Sequence, residues 1–163
     1  MNTTHFCATA FAVTLVIAII PAQAADYPKE GRYDLRTGCA GASSVLSGVK
    51  DNMGGTYTVT CVPDAPAGTL YNDIVAQCFG AWSLAGGNYE ESGSCEMTDS
   101  AGDKFFGVYA KKGQDDGTWR VTGGTGKFEG MQSGGPWNLA IPKPMLPGLL
   151  GGVFHWWGSY KLR

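Results

Sequence analysis

Short segments of alternating apolar and polar residues, separated by glycine-rich turns, run along most of this chain. Thr56-Tyr57-Thr58-Val59-Thr60-Cys61-Val62 is the plainest, rich in β-branched residues that suit a pleated, half-buried surface. The same period-two reading predicts strands over Tyr27 to Arg36, Ala42 to Lys50, Ala76 to Leu84, Gly93 to Thr98, Lys104 to Ala110, Thr118 to Thr122 and Gly135 to Ile141. In the last segment, Phe154, Trp156, Tyr160 and Leu162 share one face, with Val153, His155, Trp157 and Lys161 on the other. No window has the spacing of a long amphipathic helix; Thr69 to Ala76 accommodates one helical turn. Turn chemistry interrupts the pattern at Asp51 to Gly55, Pro63 to Gly68, Gly86-Gly87-Asn88, Asp99 to Asp103 and Gln114 to Gly117. Pro142, Pro144 and Pro147 exclude a central strand there, because each removes a ladder donor. About eight strands in up-and-down order predict an all-β fold, a single closed antiparallel β-barrel, since closure disposes of the edges.

Composition adds a compartment. Phe6 to Ile20 is an unbroken run of apolar, small and Thr residues followed by Pro21-Ala22-Gln23-Ala24. The run is short for a membrane span and suits a secretory signal, with Ala22 and Ala24 as the small-x-small cleavage pattern. The expected organisation is a cleaved signal over 1–24 and a barrel domain over 25–163, with no membrane span after cleavage and a periplasmic or secreted location. Cys39, Cys61, Cys78 and Cys95 remain, an even number that reads as two disulfides in an exported domain. Cys39–Cys61 with Cys78–Cys95 is the favoured pairing of the three possible, because each joins neighbouring strands. Each bond then closes a loop worth about 3 kcal/mol in the chain-entropy model. The formal charge of −2 gives no basic footprint, so nucleic acid is not an expected partner.

The candidate chemistry is sparse. Thr122 to Gly135 holds the densest glycine cluster, yet it fails the phosphate patterns at named positions. A Walker loop has Gly where Val121 stands and Ser or Thr where Phe128 stands; the dinucleotide motif has Gly where Glu129 stands. The glycines are expected to turn the barrel. Asp99 and Asp103 flank Gly102 without the alternating oxygens of a calcium loop, so Asp99 is expected to bond its own turn and no metal site is expected. His155 is the single histidine after residue 24; a triad with Ser133 and Asp103 lacks a G-x-S-x-G elbow, and a half-buried place between tryptophans is expected instead. Glu90-Glu91 and Asp115-Asp116 fall in expected turns and read as solvated. No cofactor is implied.

Two stretches carry a family resemblance. Gly93-Ser94-Cys95-Glu96-Met97-Thr98-Asp99-Ser100-Ala101-Gly102-Asp103-Lys104 and Gly123-Gly124-Thr125-Gly126-Lys127-Phe128-Glu129-Gly130-Met131 resemble small exported bacterial proteins of uncharacterised function. In those, a G-x-C-x-x-x-D-x-x-G-D-K turn precedes G-G-T-G-K-[FY]-x-G-[IM] by about twenty residues. The second motif is also distantly similar to the G-G-T-G-x-[FY] corner of the allene oxide cyclase and dirigent barrels. The resemblance covers roughly residues 76 to 140. It implies a secreted barrel and no activity, since no catalytic residue of the plant proteins matches here. The Pro142 to Gly152 insertion departs from it.

Inward residues of a barrel either fill it or line a cavity. The aromatic set Trp82, Phe105, Tyr109, Trp119, Trp137, Trp156 and Tyr160 makes non-catalytic binding of a small hydrophobic ligand the favoured function. Trp82, Tyr109, Trp119, Lys127, Glu129, Trp156 and Tyr160 are its candidate contacts. A barrel isomerase or cyclase is one alternative. The other is an envelope interaction module whose apolar loop at 142–152 docks on a protein partner.

Overall fold

The computed structural model describes residues 27–46, 48–142 and 148–163, with Ile141 and Pro142 described by backbone alone. The expected signal over 1–24 and the centre of the 142–152 loop lie outside the described residues. Eight strands run β1 (Glu30–Leu46), β2 (Asn52–Asp64), β3 (Val75–Ala85), β4 (Asn88–Thr98), β5 (Lys104–Lys112), β6 (Gly117–Gly124), β7 (Gln132–Pro142) and β8 (Leu149–Lys161). Each pairs antiparallel with the next, and β8 returns to β1, closing the barrel. A single 3-10 turn, Gly126–Phe128, precedes β7.

Alternation sets the faces. Along β2, Tyr57, Val59 and Cys61 are buried while Thr56, Thr58 and Thr60 face solvent. Both expected disulfides form, and each joins residues directly opposite one another: Cys39 with Cys61 (β1–β2) and Cys78 with Cys95 (β3–β4). They mark a chain that matures in an oxidising environment. Because side chains alternate with period two, a cross-strand disulfide also pins register. The β3–β4 turn is two residues, Gly86-Gly87, both at positive φ, the form that matches hairpin twist.

One strand expectation and one helical expectation change. Ala42 to Lys50 is not a strand of its own: β1 continues unbroken to Leu46, because Leu46 still pairs with Gly54 and its far edge pairs with β8 down to Ala42. Thr69 to Ala76 makes linked turns instead of helix, with Thr69 N–H donating to Pro66 O and Asn72 N–H to Thr69 O; β3 then starts at Val75.

The connections give the barrel unlike ends. At one end, the β2–β3 connection (65–74) folds inward. Tyr71 sits among Tyr33, Phe105, Trp156 and Tyr160 at ring-centroid distances of 5.1, 6.3, 5.2 and 6.0 Å. Phe128 from the glycine corner packs on Phe105 at 4.8 Å, and both are fully buried. Leu70, Ile74 and Met131 complete the plug. At the other end the β1–β2, β3–β4 and β5–β6 connections are short, and among the described residues none of them adds to the buried core.

The glycine corner is a structural device. Gly126 has φ +53°, and a Cβ there would lie 1.8 Å from Asp103 Oδ1, so only glycine fits. Asp99 Oδ1 accepts from the N–H groups of Ala101 and Asp103, the expected bond to its own turn. Its other oxygen meets Lys127 Nζ at 2.6 Å, with the Asp99 side chain fully buried. Lys127 N–H donates to Asp103 Oδ2, and its ammonium lies over the Tyr27 ring at 4.6 Å.

A candidate ligand cavity in the open half of the barrel

Above the plug the interior is hollow. A cavity of about 130 Å³ is floored by Ile74, Ala76 and Met97, and walled by both disulfides, Val59, Trp119 and Trp156. Tyr57, Glu91, Tyr109, Trp137 and Phe154 surround its mouth-side half. The lining is almost wholly apolar; its polar atoms gather where Tyr57, Tyr109 and Glu91 converge.

That convergence is built by a row across four strands. Tyr57 is opposite Gly80, Gly80 opposite Gly93, and Gly93 opposite Tyr109. The two central glycines leave floor space, and the two phenols lean in from either side until their hydroxyls meet at 2.6 Å. A Cβ on Gly80 would lie 2.4 Å from the Tyr109 hydroxyl and 2.5 Å from Tyr57 Cζ. A Cβ on Gly93 would lie 2.2 Å from the same Tyr109 hydroxyl. Here glycine is required by close approach, not by backbone conformation.

One row nearer the mouth, Trp82 is opposite Glu91 and Glu91 opposite Lys111. Glu91 is therefore a strand residue facing inward, not a solvated turn residue. The β3–β4 turn is only two residues long, so β4 begins at Asn88 and takes in both glutamates. Glu90 takes the outer face and pairs with Lys112 Nζ at 2.9 Å. Tyr57 Oη donates to Glu91 Oε1, and Tyr89 Oη donates to Oε2 at 2.7 Å. Lys111 turns its ammonium to the Asp115 carbonyl instead. Burial, then the charge and hydrogen bond of Glu91, hold the Tyr57 phenol far above its ordinary range. Tyr89 is raised likewise by burial and by Glu91. Tyr109 is pushed up to about 12, chiefly by burial, with the Tyr57 hydrogen bond working against it and the Glu91 charge adding to it. At neutral pH these phenols are donors, not bases.

The residues anticipated from sequence divide between the two ends. Tyr109, Trp119 and Trp156 line the cavity. Trp82 stands at the mouth, stacked on Tyr89 at 6.5 Å. Tyr160 packs on Tyr71 in the plug, Lys127 is engaged with Asp99, and the exposed Glu129 follows Phe128 at the same closed end. Tyr57, Glu91 and Phe154 had not been singled out as contacts. His155 lies on the outer face, stacked on Trp157 at 4.5 Å with Nε2 2.7 Å from Asp34 Oδ1; it is not between two tryptophans, because Trp156 points into the barrel. Ser133 instead donates to Ser159 O and meets Tyr71 Oη, so His155, Ser133 and Asp103 form no triad. Among the described residues no group of three His, Cys, Asp or Glu side chains is placed to hold a metal ion.

No protein-family model and no curated protein matches this chain. Among solved structures, a pterocarpan synthase dirigent protein aligns with a TM-score of 0.49 at 10% identity, covering 83% of this chain and 93% of that one. A likeness that distant carries no argument about what this chain does. The eight-stranded barrel stands on its own strand order and register.

Proposed function

We propose that this protein is an exported, non-catalytic binding barrel that carries one small hydrophobic molecule in the open half of its interior. The observation that supports this reading is the apolar cavity above the plug. Its volume of about 130 Å³ is near that of the ~150 Å³ apolar cavity that takes up benzene in an engineered protein interior, so one ring is the natural load. Trp119, Trp137, Tyr109 and Phe154 offer the edges and faces that an aromatic or alicyclic ring packs against. The disulfides, and the signal-like residues 1–24, support a periplasmic or secreted setting.

Toluene titration followed by tryptophan fluorescence tests it. Saturable quenching or enhancement is expected, and it should vanish when Ala76→Phe fills the cavity floor. An identical response from both proteins would sink the cavity as the site.

A second reading has its own observation. Val45, Leu46, Val49, Met53 and Leu149 are large apolar side chains exposed at the mouth, the end at which β7 stops at Pro142 and β8 starts at Leu149. Solvent-facing clusters of this kind mark contact surfaces, which supports docking on an envelope protein at this rim. Chemical crosslinking in the producing cell, compared with a Leu46→Lys, Val49→Lys variant, tests it; unchanged adducts would remove this reading.

A further inference from the structure

The polar groups at the cavity mouth specify more than size. Each phenol has one proton to give. Tyr57 gives its proton to Glu91 Oε1 and Tyr89 to Oε2, so the Tyr57–Tyr109 contact at 2.6 Å uses the Tyr109 proton. The one competing acceptor for that proton, the Phe79 carbonyl, is farther away at 3.4 Å. The indole N–H of Trp156 is given to Thr37 Oγ1 and that of Trp137 to the Thr118 carbonyl at 3.2 Å, while that of Trp119 is buried without a hydrogen-bond partner. The phenol donors at the mouth are thus all committed inside the protein. What Glu91 and Tyr109 offer a ligand is acceptor capacity: the remaining lone pairs of the carboxylate and of the phenol oxygen.

Glu91 forms no ion pair among the described residues, and the nearest cation in register, Lys111, is turned to the Asp115 carbonyl. Beside it stand Tyr109 and Trp137, edge to face at 5.7 Å. A carboxylate without a fixed cation, next to aromatic faces, suits a ligand that brings its own positive charge.

Resting on the cavity reading above, we propose that the natural ligand class is a ring-sized organic ammonium, a primary amine on a short apolar or aromatic body. The ring occupies the space between the disulfides and the tryptophans. The ammonium sits at the mouth, donating to Glu91 and to the Tyr109 oxygen. A carboxylate ligand meets the like charge of Glu91 there and binds more weakly.

Three matched probes decide this with the full-length protein: 2-phenylethylamine, ethylbenzene and phenylacetate, each titrated by tryptophan fluorescence and calorimetry. The amine is expected to bind at least about tenfold tighter than ethylbenzene, as a charge-assisted hydrogen bond implies, and phenylacetate weaker than either. Glu91→Gln should erase the advantage of the amine while leaving ethylbenzene within about twofold, since the apolar contacts remain. If the amine shows no advantage over ethylbenzene, or phenylacetate binds best, the ammonium assignment falls and the cavity reading survives. If none of the three binds, both fall. The wild-type series stands alone should Glu91→Gln fold poorly.

Discussion

The two halves of this barrel are lined by the same strands with the same alternation, yet one is solid and the other hollow. At the closed half, Phe105 and Phe128 are fully buried and Tyr71 spans the bore, so inward side chains of the strands meet side chains delivered by loops. At the open half no described loop residue enters, and the strands supply Gly80 and Gly93 where bulk would close the bore. Polar groups differ in kind as well. Asp99 and Lys127 neutralise each other at the closed end, whereas Glu91 is held by phenols that carry no charge. A strand alternation therefore fixes which residues point inward, and the connections fix whether they form a core or a cavity.

Removing the plug should break the contrast most severely. Phe128→Ala leaves a void against Phe105 and is expected to cost about 3–5 kcal/mol in chemical denaturation, as for other large-to-small core changes. An effect under 1 kcal/mol would mean the closed end is not packed as described. Lys127→Met comes next. It keeps an aliphatic stem over Tyr27 but strands the buried Asp99 carboxylate, for an expected loss of about 2–3 kcal/mol, at or below the lower edge of the range for broken buried pairs because Lys127 is partly exposed.

At the open end, Gly80→Ala should cost about 1–3 kcal/mol by overpacking, and should also displace the Tyr109 and Tyr57 phenols. The informative readout is toluene binding, which this variant should change and Lys127→Met should not. Smallest at that end is Tyr57→Phe, about 1 kcal/mol for the lost hydrogen bonds, with Glu91 still held by Tyr89.

Alkaline pH acts on both ends at once. Tyr57, Tyr71, Tyr89 and Tyr109 all have folded pKa values above the unfolded 10.0, each chiefly through burial. Below pH 10 they are protonated in both states and their contribution is fully present. Above it the unfolded chain ionises first, so stability falls as pH rises, at up to about 1.4 kcal/mol per pH unit for each such tyrosine. Lys127 adds in the same direction: burial opposes its charge, but the hydrogen bond and charge of Asp99 outweigh it and raise the ammonium above 10.5. Denaturation midpoints measured from pH 8 to 11 should be flat below 10 and drop beyond it; a flat profile throughout would contradict the buried phenols. Tyr57→Phe should make the drop shallower.

Much of this was legible from residues alone. Strand alternation placed Phe154, Trp156, Tyr160 and Leu162 on one face, and all four point inward. The cysteine spacing favoured the pairing that forms. Glu91 was missed although a signal existed. If Cys95 faces inward to reach Cys78, period two places Gly93, Glu91 and Tyr89 on the same face, and only the assumption of a longer turn hid this. Lys127 was the reverse case: a charged residue in a distinctive motif invited a ligand role, and its partner Asp99 lies 28 positions earlier, visible only once the β4–β5 turn and the glycine corner are side by side.

By itself, then, the sequence determined the period, most of the turns and a favoured disulfide pairing, and hence the expectation of a closed antiparallel barrel, because these depend on neighbours along the chain or directly across a hairpin. Tertiary structure alone decided that the 65–74 connection folds into the bore while the opposite turns do not. It also decided that Tyr57 and Tyr109, with two strands between them, meet above paired glycines beside Glu91. Both outcomes rest on how volumes from distant segments sum inside one enclosed space, and that sum is fixed only when the barrel closes.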